Sequence, residues 1–178
     1  MLFRSTNRQT AWWRFSLTGR DQLRQRVAFA LSQIFVVSDV NSTLANNPRA
    51  LANYYDILVK GAFGNARQLL EDITLSPVMG VYLSSLRNAK ATFDSTGKPL
   101  TAPDENYARE IMQLFTVGLM ELQPDGLPRL NEVGAPIPTY DNRTIAEMAK
   151  VFTGLGFYSA APVPNFRGEP TNYLRPMM

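Results

Sequence analysis

The chain has 178 residues, 45% of them hydrophobic and 19% charged, and contains neither cysteine nor histidine. That composition excludes disulfides, thiolate nucleophiles, imidazole bases and zinc sites built from nitrogen and sulfur ligands, so chemistry within these residues falls to carboxylates, hydroxyls, lysine, arginine or backbone groups. The length suits a single domain spanning 1–178 that buries roughly 70% of its unfolded surface.

The net charge of +3 is unevenly placed. Residues 1–26 carry Arg4, Arg8, Arg14, Arg20, Arg24 and Arg26 against one acid, Asp21, whereas the remainder is weakly acidic. With Trp12, Trp13 and Phe15 interleaved, this basic end suits an anionic surface, but no nucleic-acid-binding signature accompanies it, and nucleic acid is not the expected partner. No apolar stretch precedes a small-residue cleavage site, so a signal peptide is not expected in this chain. The best apolar run, Val27 to Val37, is far below the ~20 residues of a membrane span.

In chain order, Thr18-Gly-Arg-Asp21 has the spacing of a capping box, with Asp in the usual Glu place, and opens a predicted helix to about Ser38. Leu23, Val27, Ala30, Leu31, Ile34 and Val37 recur along it at helical spacing, and Phe29, Phe35 and Val36 occupy its other sides, which predicts a central helix. Asn47-Pro48 starts a second helix carrying Leu51, Tyr54, Tyr55, Leu58 and Val59 and closing at Gly61. A third runs from Asn65 to about Leu75, and Ser76-Pro77 begins a fourth that ends near Leu86.

Asn88 to Ala102 is polar and reads as an exposed loop. Pro103-Asp104 begins a further helix with a core stripe of Tyr107, Ile111, Leu114 and Phe115, stopped by Gly118. The stretch from Leu119 to Tyr140, with turn signals at Asp125-Gly126 and Val133-Gly134, reads as a small β-hairpin or meander. A last helix covers about Asn142 to Thr153, with Asp141 or Thr144 as N-cap and Gly154 as its stop. The remainder, 154–178, reads as an irregular tail, and no internal repeat is recognised. The expected fold is therefore mainly α, a multi-helix orthogonal or bundle-like domain with a small β insertion near residues 119–140.

The helix from Pro103 to Gly118 holds the catalytic candidates Asp104, Glu105 and Glu110. Glu105 and Arg109 stand in the favourable i,i+4 order for an ion pair. Glu110 falls at the margin of the apolar face, where a carboxylate is desolvated unless paired, and Arg26 on the central helix is the first candidate partner. Residues five apart on a helix point about 140° from each other, poor geometry for flanking one bond, so structural roles outweigh acid–base roles for these carboxylates. Asp125, Asn131 and Glu132 do not match a calcium-loop spacing, and no metal site or other cofactor is expected. Gly154-Leu-Gly156 lacks the context of a phosphate loop. Trp12, Trp13, Tyr54, Tyr55, Tyr158 and Tyr173 are candidates for a sugar-binding groove, since flat rings stack on sugar faces while their polar edges bond hydroxyls.

Four segments, Leu23 to Ser38, Ser76 to Leu83, Pro103 to Gly118 and Val151 to Gly154, together resemble a large bacterial family known as domain of unknown function 1800. The resemblance spans about Trp12 to Met178 and implies a mainly helical protein. It makes Asp104, Glu105, Asn106, Arg109, Glu110 and Phe115 the signature helix, whether for fold or function, with no catalytic role to carry over; Arg26, as the candidate partner of Glu110, joins Asn106, Arg109 and Phe115 in the expected structural set. Family members are generally larger and often exported, which implies that this chain is an internal fragment of a secreted or periplasmic parent. Relatives commonly have histidine near the position of Ser76 and again just past Met178, and this sequence has neither. The leading functional expectation is a helical module for binding or assembly at the cell envelope, its partner a polysaccharide or another protein. The alternatives are a hydrolase of carbohydrate or ester substrates using Asp104, Glu105 and Glu110, and an anionic-surface binder acting through the N-terminal arginines.

Overall fold

The fold follows from where helices can start and stop, as seen in a computed structural model that describes residues 5–161, 166 and 171–178. Arg4 and residues 162–165 and 167–170 of the expected tail therefore lie outside the described residues. The described residues fall into two compact units, one made of the chain up to Leu86 together with the part from Leu155 onward, the other of Arg87–Gly154. The architecture is mainly α with small β elements.

In the first unit, α1 (Ser5–Thr18) packs on both α2 (Gln22–Ile34) and α4 (Pro48–Gly61), and α2 packs along α4. The basic, aromatic beginning of the chain is thus a helix, which the sequence pattern did not predict. Thr18 closes that helix, its hydroxyl donating to Arg14 O at 2.8 Å, so the expected capping box is absent. Asp21 stands at the N-cap of α2 without a side-chain cap bond. Nor is α2 a central helix: Ala28 is its buried residue, while Leu23 is 68% exposed. It ends at Ile34, four residues early, because Tyr54 donates its hydroxyl to Phe35 O at 2.7 Å and holds the chain outside the helical path.

Asn41 caps the short α3 (Ser42–Ala45), accepting from Thr43 and Leu44 N–H. Asn65 caps α5 (Ala66–Thr74) in the same way through Arg67 and Gln68. Pro48 opens α4 as expected, but the Asn47 side chain donates to Thr43 O at 2.8 Å instead of capping. Pro77 opens α6 (Pro77–Tyr82), which stops before Leu86 as the chain turns through Ser84 and Arg87, both at positive φ. Leu44, Tyr54, Leu58, Ile73, Val78 and Met79 form this unit's core. The tail's last residues join it: Met177 N–H donates to Leu75 O at 2.7 Å, and the Met177 side chain is buried. A Cβ on Gly80 would meet Met177 Sδ at 2.8 Å, so this glycine makes the room.

In the second unit, the expected loop contains a two-stranded antiparallel hairpin, β1 (Thr92–Phe93) and β2 (Pro99–Thr101). Its turn is built on Asp94, whose Oδ1 accepts from Thr96 N, Thr96 Oγ1 and Lys98 N, with Gly97 at φ +83°. After it, α7 (Asn106–Glu110) packs on α8 (Asn142–Val151), and Tyr107 meets Phe152 edge-on at 4.9 Å. Asp141 caps α8 through Thr144 N–H at 2.8 Å.

Between those helices lies a repeat that the sequence reading missed. Gly118, Gly126 and Gly134 recur at eight-residue spacing, all with positive φ. The segments they delimit close into a ring: Arg129 N–H donates to Glu121 O, Ile137 N–H to Arg129 O, and Glu121 N–H back to Ile137 O, at 2.8, 2.9 and 2.9 Å. A second cycle links Gln123 to Leu127, Asn131 to Ala135 and Thr139 to Leu119. The residues at each step are equivalent in successive octads. The expected meander is therefore a pseudo-threefold β ring, each segment bonded to both others.

Candidate functional site

The carboxylate-bearing segment is organised by Asn88, a residue the sequence reading did not single out. Its buried side chain bonds the backbone of Asp104 twice, Nδ2 donating to Asp104 O at 3.0 Å and Oδ1 accepting Asp104 N–H at 2.8 Å. Its own carbonyl accepts Gly154 N–H at 2.9 Å, so one asparagine ties the start of the signature helix to the stop of α8. The only advance signal was an asparagine at the start of a polar loop, which is common in turns for other reasons.

Asp104 Oδ1 then accepts Asn106 N–H at 2.8 Å. Glu105 occupies the N-cap position of α7, and its Oε2 pairs with Arg109 Nη2 at 3.2 Å, as the spacing predicted. Both side chains are about two-fifths exposed, at 44% and 41%, so this is a solvated pair. Glu110 is half-buried and Asn106 exposed. Arg26, the expected partner of Glu110, is exposed on α2 in the first unit.

From Ile111 to Phe115 the helix widens into a π turn, with Thr116 Oγ1 donating to Ile111 O at 2.7 Å. Wider turns change the angular phase, so Met112 joins Tyr107 and Ile111 in the core whereas Leu114, expected there, is 58% exposed. Phe115 is half-buried, 6.4 Å from the Tyr107 ring.

The second candidate is a cleft in the first unit, with a volume of 440 Å³, in the range of ligand sites. It brings together Trp12, Trp13, Tyr54 and Tyr55 from the expected sugar-binding set and adds Phe29. Helix α1 builds one wall, because Arg8 and Trp12 stand one turn apart on the face toward α2 and α4. Trp12 stacks edge-on against Trp13 at 4.8 Å and against Tyr55 at 6.4 Å, and tilts on Phe29 at 5.4 Å. Trp13 is 58% exposed. Tyr54 is committed to the core through Phe35, while Tyr158 lies under Arg175 and Tyr173 against Phe157, outside the lining.

The cleft's polar groups are unusual. Arg8 Nε, Trp12 Nε1 and the Tyr55 hydroxyl are buried without a hydrogen-bond partner among the described residues. Burial pushes the Tyr55 hydroxyl above the usual phenol range; the adjacent Trp12 indole N–H opposes this only in part, since the two do not reach hydrogen-bond geometry. Arg8 Nη2 pairs with Asp39 Oδ2 at 3.0 Å, each side chain 28% exposed. Of the other N-terminal arginines, Arg24 donates to Val59 O and stacks on Phe63, whereas Arg14 and Arg20 are exposed.

Among the described residues, no cluster of three or more carboxylates or other ligating side chains is placed to hold a metal ion. None of the described helices is long and apolar enough to cross a membrane. In comparisons with known proteins, the model of one family, described as "Protein of unknown function (DUF1800)", matches residues 4–177, nearly the whole chain. No curated protein and no solved structure matches.

Proposed function

The chain belongs to that family of unknown function, and from this premise we propose that it is a binding module whose α1–α2–α4 cleft takes a carbohydrate, as part of an exported protein acting on cell-envelope polysaccharide. The observation that carries the reading is an accessible aromatic wall on one cleft, backed by two buried polar atoms, Trp12 Nε1 and the Tyr55 hydroxyl, that lack a hydrogen-bond partner among the described residues. Sugars present apolar ring faces for stacking and hydroxyls that both donate and accept, which matches that wall. Unpartnered buried polar groups are few in folded proteins, and three of those among the described residues belong to side chains of this cleft.

The hydrolase reading has less support. Asp104 caps Asn106 and Glu105 pairs with Arg109, which are roles in holding the helix start.

Titration with neutral oligosaccharides, followed by tryptophan fluorescence, tests the proposal. A saturable change is expected in the wild type, with loss of binding in Trp13→Ala, a side chain exposed enough that its removal spares the core. Absence of binding across mannan, glucan and chitin fragments, or binding indifferent to Trp13→Ala, overturns it. Release of new reducing ends that stops in Glu105→Gln would favour the hydrolase instead.

A further inference from the structure

We propose that the cleft selects uncharged saccharides over acidic ones and that the Arg8–Asp39 ion pair is the selector; this rests on the carbohydrate reading above. The two residues are the charged members of the cleft lining among the described residues, and they sit 3.0 Å apart. Gln9, Ser32, Gln33 and Ser38, also in the lining, can bond hydroxyls without carrying charge.

A uronate bound here would meet the Arg8 guanidinium already engaged by a carboxylate. It would also bring a second negative charge beside Asp39, both half-buried and therefore less screened than at an open surface. A neutral sugar has no such conflict. Its hydroxyls can bond the uncharged polar groups of the lining while the ion pair stays intact. Discrimination of this kind comes from the repulsive element, not from extra attraction to the preferred ligand. Removing the carboxylate while keeping its shape should reverse the selection, because an arginine without a countercharge is a good receptor for a carboxylate through paired N–H donors.

The test compares β-1,4-linked oligomannose with β-1,4-linked oligomannuronate, which differ only in a hydroxymethyl or a carboxylate at C6. The expected result is wild-type binding of the neutral chain at least about tenfold tighter at low salt. Asp39→Asn, its fold checked by circular dichroism, should narrow or invert that ratio by strengthening the acidic ligand. Equal or tighter binding of oligomannuronate to the wild type overturns the proposal, whatever the variant does. So does a ratio unchanged in folded Asp39→Asn. Failure of both oligosaccharides to give a Trp13-dependent signal overturns the proposal as well, by removing the binding on which it rests.

Discussion

Asn88 shows how much one side chain can organise. Its amide replaces a pair of ladder bonds by gripping both backbone groups of Asp104, and its carbonyl receives Gly154 N–H. Substitution by alanine leaves the Asp104 groups without that partner at a site where Asn88 is only 6% exposed, and a loss of about 1–3 kcal/mol is expected in urea unfolding. Asn88→Asp keeps the acceptor but sets a carboxylate oxygen against the Asp104 carbonyl at a buried position, so its loss at neutral pH should be no smaller than that of alanine. A loss below about 0.5 kcal/mol for alanine would mean that the clamp is dispensable. The Glu105–Arg109 pair is the contrasting case. It was legible from the i,i+4 spacing because both partners belong to one helix, yet its exposure keeps its contribution within a few tenths of a kcal/mol.

Helices announced by side-chain caps or proline were readable, and those shaped by neighbours were not. Asn65, Asp141, Pro48 and Pro77 act within a few residues of themselves, so their helices begin where the spacing says. The end of α2 depends on Tyr54, nineteen residues away, and could not be read locally. The π turn is similar. A uniform α period placed Leu114 inside and passed over Met112, but the widened turn buries Met112 to 9% exposure and turns Leu114 outward. Met112→Ala is therefore expected to cost about 2–5 kcal/mol and Leu114→Ala less than about 0.5 kcal/mol in the same unfolding assay. Equal losses would restore the uninterrupted α-helix. In the β ring, glycines at eight-residue spacing were visible signals, and only their hydrogen-bond cycle reveals them as one repeat.

At the scale of the whole molecule, the basic beginning of the chain looked in sequence like a patch ready for an anionic surface. Folding engages part of it: Arg8 faces Asp39, and Arg24 bonds Val59 O and stacks on Phe63. Arg14 on α1, Arg20 in the turn that follows it and Arg26 on α2 remain exposed. Retention on heparin is accordingly expected to be weak, with elution below about 0.15 M salt, because few counterions are released. Elution well above that concentration would revive the anionic-surface reading.

The sequence by itself determined the mainly helical class, the family, the ion pair at Glu105 and most helix starts, because each depends on residue identity or on spacing within one turn or two. Tertiary structure decided which apolar side of α2 is covered, where the signature helix changes its period, and that Trp12, Trp13 and Tyr55 meet in one cleft beside Arg8 and Asp39. Those outcomes join residues far apart in the chain, and their energies come from burial and pairing across elements that local periodicity does not encode.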